Sequence, residues 1–241
     1  MKNILVTGGS RGIGACIVKE LAKKGNNVVL NYFNSEKEAR HIQEELKEMG
    51  ICVDIFKADV SKHEQVKQLR DFFFSKYKNI DILINNAGIS QIKLFTEISD
   101  EDWINMLDVN LNSVFYTTKE FVSNMIKNQN GCIINISSIW GVVGGSCEVH
   151  YSTAKAGMIG MTKALSKELG LSNIRVNAIA PGMINTQMNK EIDNEDVENI
   201  KKEIALGRIG DPIDIFRCVE WLIEDKYVTG QVISIDGGWY I

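Results

Sequence analysis

Thr7-Gly8-Gly9-Ser10-Arg11-Gly12-Ile13-Gly14 follows the apolar run Ile4-Leu5-Val6 and opens an apolar-periodic segment that reaches Leu21. Strand, glycine turn, helix is the order in which a backbone can approach a pyrophosphate. Glycines permit the tight turn, and the helix behind it offers free N–H groups and a positive dipole end. The spacing is G-x-x-x-G-x-G, with the first glycine directly after the strand. That position predicts a dinucleotide-binding turn built from Gly8, Ser10, Arg11, Gly12, Ile13 and Gly14.

Outward from this turn, short apolar runs alternate with longer amphipathic stretches. Strands are expected at 4–7, 27–31, 53–58, 80–85, 132–137, 175–180 and 231–235. Most are β-branched and almost continuously apolar, as strands buried on both faces are. Ser35-Glu36-Lys37-Glu38 and Ser61-Lys62-His63-Glu64 read as helix capping boxes, and Asp211-Pro212 as an N-cap with proline at the first helical position. The alternation predicts an α/β fold: one doubly wound parallel sheet of about seven strands, helices on both faces, in a single domain over 1–241. Residues 183–206 follow a strand but are long, polar and charged. Ligands in such folds bind beyond the carboxyl ends of the strands, which makes this stretch an expected substrate lid.

Composition narrows the function. The chain has 241 residues, with 27 Lys and Arg against 31 Asp and Glu, a net charge of −4. A chain without basic excess is not built for phosphate backbones, so nucleic acid is not expected as partner. No apolar run approaches the ~18 residues that span a bilayer, so no membrane role is expected. The first strand starts at once, and a cytoplasmic protein is predicted. Five scattered cysteines without a Cys-x-x-Cys pair and three isolated histidines predict neither disulfides nor a metal site.

The second strand ends Asn31-Tyr32-Phe33-Asn34, without the carboxylate that binds the ribose hydroxyls of NAD, and Arg11 lies in the glycine turn. Both favour NADP(H) over NAD(H). Further on, Tyr151-Ser152-Thr153-Ala154-Lys155 puts a phenol and an ammonium four residues apart on one helix face. An adjacent cation favours phenolate and lowers the phenol pKa, making Tyr151 a proton donor or acceptor at a carbonyl oxygen. Ser138 ends a strand on the ligand-facing edge and is placed to bond the same oxygen.

Together with Asn85-Asn86-Ala87-Gly88, Asn110 and Pro181-Gly182, these motifs make the chain resemble the short-chain dehydrogenase/reductase family over essentially its whole length. The resemblance implies a Rossmann-type sheet and a carbonyl reductase. It implies Tyr151 as general acid, with Lys155 lowering its pKa and holding the nicotinamide ribose. Ser138 would orient the carbonyl, and Asn110 would sit in a helix and anchor a water relay to Lys155. Asn86, Ala87 and Gly88 would line the adenosine side, Asp59 and Val60 would meet the adenine, and Ile184 and Thr186 after Pro181-Gly182 would contact the carboxamide. A homotetramer is implied, pairing helices over 103–126 and 151–169. Val109, Leu111, Val114, Phe115, Phe121 and Val122 exceed one buried stripe there.

Ile179-Ala180-Pro181-Gly182 and Ile235-Asp236-Gly237-Gly238 resemble the 3-oxoacyl-acyl-carrier-protein reductases, a group within the family that serves fatty acid biosynthesis. That group carries basic residues for the carrier protein where this chain reads Asn128-Gln129-Asn130 and Leu171-Ser172-Asn173, with Lys127 and Arg175 nearby. The lid is acidic: Glu191, Asp193, Glu195, Asp196, Glu198 and Glu203 against Lys190, Lys201 and Lys202. Ser138-Ile139-Trp140-Gly141, Ser146-Cys147-Glu148-Val149 and Gly237-Gly238-Trp239-Tyr240 also resemble reductases of a 5-aminopentanone group on modified elongation factor P. For that cationic substrate, Glu148 is expected as counter-ion and Trp140 as a cation–π face. Nucleotide-sugar epimerases and dehydratases share the Tyr-Lys pair but carry a further C-terminal domain and another glycine spacing. A non-enzymatic NADP sensor would be expected to lack one of Ser138, Tyr151 or Lys155.

Overall fold

The computed structural model describes residues 1–189 and 193–240. Lys190 and Glu191 of the expected lid lie outside them. The strands are β1 (Asn3–Val6), β2 (Asn27–Tyr32), β3 (Val53–Lys57), β4 (Ile82–Asn85), β5 (Gly131–Ile136), β6 (Ile174–Pro181) and β7 (Val232–Ile235). They form one sheet in the order β3-β2-β1-β4-β5-β6-β7. Every pairing is parallel. The chain crosses the sheet between β3 and β4, so the order reverses between β1 and β4 and opens a crevice at their carboxyl ends.

Alternate residues of each central strand feed two separate cores. Ile4, Val6, Ile82, Ile84, Cys132 and Ile134 pack on one face, under helices α1 (Gly12–Lys23), α2 (Glu36–Glu48) and α9 (Pro212–Glu224). Leu5, Leu83 and Ile133 point the other way, under α3 (His63–Lys76), α5 (Ser113–Asn128) and α7 (Val149–Leu169). This is why the strands read as unbroken apolar runs and not as alternations. Each fully buried side chain of this size contributes about 1.5–3 kcal/mol. No helix of the described residues is long and apolar enough to cross a membrane.

Three local expectations differ from the structure. Ser35 precedes α2 but its side chain makes no cap bond, and α3 starts after Lys62. Ser61 instead donates its hydroxyl to Asp59 Oδ1 at 2.7 Å. The short carboxylate two residues upstream competes successfully for the serine. The capping boxes lie at Ser99/Asp102, opening α4 (Asp100–Leu107), and at Asp211/Asp214, opening α9 with Pro212 in its first turn. The long helix expected over 103–126 runs without interruption, but it is not α-helical throughout: a π-helical turn, Asp108–Asn112, lies between α4 and α5. Val114 and Phe121, expected beyond one buried stripe, lie in the core, whereas Phe115 is 48% exposed.

Candidate active site

The glycine turn is pressed against the end of β4. A Cβ on Gly8 would sit 2.8 Å from Ala87 Cα, and one on Gly14 2.3 Å from the Gly8 carbonyl oxygen. Gly8 also has a φ of +61°. Thr7 locks the junction: its Oγ1 accepts from the Asn86 and Ala87 amides. Asn86 Nδ2 donates to the carbonyls of Thr7 and Gly8, both at 3.0 Å. Thr7 was not singled out in the sequence; its only signal is its place between the strand and the first glycine. α1 begins with Arg11 as N-cap, no side chain caps its first turn, and that turn carries no acidic residue. Such an end suits an anion.

A cleft of about 590 Å³ opens beside this turn, with Ser10, Arg11, Lys37, His41 and Thr186 among its lining. Arg11 is exposed, and its Nη1 donates to Gln187 Oε1 at 3.5 Å. Ile13 is half-buried against the core. Thr186 closes on the turn: a Cβ on Gly12 would meet its Cγ2 at 3.2 Å. The Asn31 side chain faces elsewhere. It is buried, and its Nδ2 donates to the Ala58 carbonyl at 3.0 Å, so it ties β2 to the end of β3. Asp59 accepts from Ser61, and Val60 is buried in the core under α3, α5 and α7. The Ile184 side chain is also buried, which leaves only its backbone for a ligand. Gly182 abuts Asp236, where an added Cβ would come within 2.7 Å of Asp236 Cβ.

Across the crevice, β5 and α7 hold the reactive groups together. Ser137 Oγ donates to the Lys155 carbonyl at 3.1 Å, and Lys155 Nζ donates to the Ile136 carbonyl at 2.9 Å. Ser138 follows directly, and its Oγ accepts from the Trp140 amide at 3.2 Å. Tyr151, Lys155 and Ser138 are all buried. Lys155 Nζ lies 5.6 Å from the centre of the Tyr151 ring. Asn110 is fully buried in the π turn. Its Nδ2 donates to the Ile89 carbonyl at 3.0 Å and its Oδ1 accepts from the Ile89 amide at 3.2 Å. Gly88 lies between Asn110 and Lys155: a Cβ there would be 2.6 Å from Asn110 Oδ1 and 3.4 Å from Lys155 Nζ. The sequence-predicted residues Asn110, Ser138, Tyr151 and Lys155 thus converge.

The Tyr151 phenol is pushed up to about 12, first by burial, with the Ser138 hydrogen bond opposing and the Glu148 charge adding to the rise. The Lys155 ammonium is turned to the Ile136 carbonyl. Burial pushes Lys155 down to about 8. The phenol is therefore protonated at neutral pH, the form that gives a proton.

An aromatic wall stands beside Ser138. Trp140 packs edge-on to Trp239 at 5.2 Å and to Tyr240 at 5.6 Å. Trp239 Nε1 donates to Glu203 Oε2 at 3.0 Å, joining the chain's end to α8 (Asn194–Glu203). Glu148 is half-buried, and burial raises its carboxyl to about 7 against a hydrogen bond from Trp140. Sequence reasoning quoted Trp239 and Tyr240 but gave them no place in the site.

A family model described as short chain dehydrogenase matches residues 2–197. The chain is 42% identical to the 3-oxoacyl-[acyl-carrier-protein] reductase FabG of Chlamydia trachomatis, over 98% of this chain and 96% of that one. It is 38% identical to the reductase of the same name from Staphylococcus aureus strain Mu50, over 100% of this chain and 98% of that one. Matches of this extent, on a parallel sheet with that glycine turn and those buried groups, mean that the chain belongs to the short-chain dehydrogenase family and is an oxidoreductase of CH–OH and C=O groups that uses a nicotinamide dinucleotide.

Proposed function

We propose that this chain is an NADPH-dependent 3-oxoacyl-acyl-carrier-protein reductase of fatty acid biosynthesis. The observation that carries this reading is the convergence of Ser138, Tyr151 and Lys155 at the sheet edge of a chain whose full-length relatives bear that name. The glycine turn, Asn86–Gly88 and the Pro181–Thr186 segment would hold the coenzyme, and Arg11 would face its 2′-phosphate beside Lys37. When bound, the coenzyme supplies hydride. Tyr151 gives its proton to the carbonyl oxygen, Ser138 holds that oxygen, and Lys155 holds the ribose and, through Asn110, connects to solvent. Residues 183–206 would act as the lid. Phe115 and Ile104, 48% and 57% exposed, would be covered in a homotetramer.

The trial is NADPH oxidation with acetoacetyl-carrier protein. Tyr151→Phe is expected to lower kcat/KM by about 10²–10⁴-fold. Arg11→Ala is expected to raise KM for NADPH by about ten- to a hundredfold, with little change for NADH, because a charge-assisted bond is lost. Turnover in Tyr151→Phe equal to wild type would remove the reading.

A second reading, a 5-aminopentanone reductase acting on modified elongation factor P, is favoured by one observation. Trp140 and Glu148 form an aromatic and carboxylate pair in a partly dry site. The carrier-protein positions weaken the first reading. Arg175 spends its guanidinium on the Leu222 carbonyl at the end of α9, at 2.6 Å. Turning over the aminopentanone substrate much faster than acetoacetyl-carrier protein would make the second reading the correct one.

A further inference from the structure

His150 directly precedes Tyr151, is fully buried, and takes no part in the chemistry above. Its hydrogen bonding can be assigned. A carboxylate only accepts, so the Gln91 amide must turn its Nε2 toward Asp102 Oδ1, 3.1 Å away. Gln91 Oε1 then faces His150 Nε2 at 3.0 Å, and that nitrogen must carry the hydrogen. His150 Nδ1 is left as a bare acceptor, buried and without a partner among the described residues. A second proton on the ring would place an N–H there with nothing to accept it. Burial accordingly pushes the imidazole below its ordinary value.

Asp102 is the hub beyond Gln91. It accepts from Lys93 Nζ at 2.6 Å and closes the cap of α4 with Ser99. The Lys93 amide donates to the Cys147 carbonyl at 2.7 Å, next to Glu148. The segment after β4 is therefore clipped three times: Ile89 by Asn110, Gln91 by His150 and Asp102, Lys93 by Asp102 and Cys147. Its tip carries Ile92, Leu94 and Phe95, which are 70%, 55% and 67% exposed. These apolar side chains are therefore held out in solvent on a clipped loop that is tied to the residues just before Tyr151.

We propose that His150 is a positioning residue. Through Gln91 it holds the 89–95 segment against the first turn of α7 and so sets where the ketone substrate lies relative to Tyr151. The proposal rests on Tyr151 being the proton donor.

The experiment uses the full chain with NADPH and ethyl acetoacetate. His150→Leu and Gln91→Leu should each raise KM for the ketone by about tenfold and change kcat by less than about threefold. The double variant should be no worse than either single, because both break one chain of contacts. His150→Gln keeps a donor for Gln91 Oε1 and should recover most of the lost KM. NADPH affinity, read by fluorescence, should not move, since the glycine turn is untouched. Should His150→Leu fail to fold, His150→Gln and Gln91→Leu carry the comparison. Additive effects, a glutamine variant no better than leucine, or a fall in kcat at constant KM would overturn the proposal. Tyr151→Phe is run alongside: its full activity would remove the acid assignment, whatever the KM pattern at His150.

Discussion

Gly88 has no room for a side chain. The Asn110 oxygen that an added Cβ would strike at 2.6 Å is fixed by the Ile89 amide, and the Asn110 amide by Ile89 and Met106 carbonyls. Gly88→Ala must move either Asn110 or the segment that follows. A displacement of this order at a reacting centre costs about 10²-fold in rate. We expect kcat/KM to fall to that extent and stability to drop by about 1–3 kcal/mol from the overpacking, measured side by side. Glu148 makes a different prediction. Its carboxyl ordinarily titrates at 4.5 and is raised to about 7 by burial. The folded protein then holds more protons than the unfolded chain between those values, so ionisation destabilises it as pH rises through that window. The thermal midpoint of the wild type, relative to Glu148→Gln, should fall from pH 4.5 to pH 7 and level off above. A difference that stays flat with pH would contradict the burial of this carboxylate.

At the scale of elements, the π turn between α4 and α5 matters most. The sequence over 103–126 reads as one helix because apolar residues recur at helical spacing without proline or glycine. Nothing in that spacing shows that Asn110 Nδ2 will bond the Met106 and Ile89 carbonyls. That tertiary bond accompanies a wider π turn, a device common at functional sites. Capping shows the same limit. Ser35 and Ser61 have the right residues three positions on, yet Ser35 sits at its N-cap without a side-chain bond and Ser61 lies one residue before its helix's N-cap. Asp211-Pro212 was legible because proline excludes the alternatives. Asp211→Ala should lower stability by about 0.5–2 kcal/mol, read from denaturant midpoints, without altering KM.

For the whole molecule, the parallel sheet follows from alternation and right-handed crossovers, its strand order is set by the fold, and both cores follow from strands apolar at every position. Assembly is a separate matter. Phe115 on α5 and Ile104 on α4 are exposed, while Val114 and Phe121 lie inside. Phe115→Glu should shift the sedimentation profile toward smaller species, because a charge placed in an apolar contact costs more than it returns. An unchanged profile would place the contact elsewhere.

Asn110 entered through the family resemblance; the order of residues alone determined the parallel sheet, the glycine turn after β1, the place of Ser138 at a strand end and the four-residue spacing of Tyr151 and Lys155. Those features are written in local spacing, and local spacing is what periodicity and glycine turns report. Folding alone decided that Asn31 bridges two strands, that Lys155 points at Ile136, that Trp239 and Tyr240 wall the site and that His150 is wired to Asp102. Each joins residues far apart in the chain or turns on which way a side chain faces. A buried donor or acceptor takes whichever partner the packed fold brings within reach.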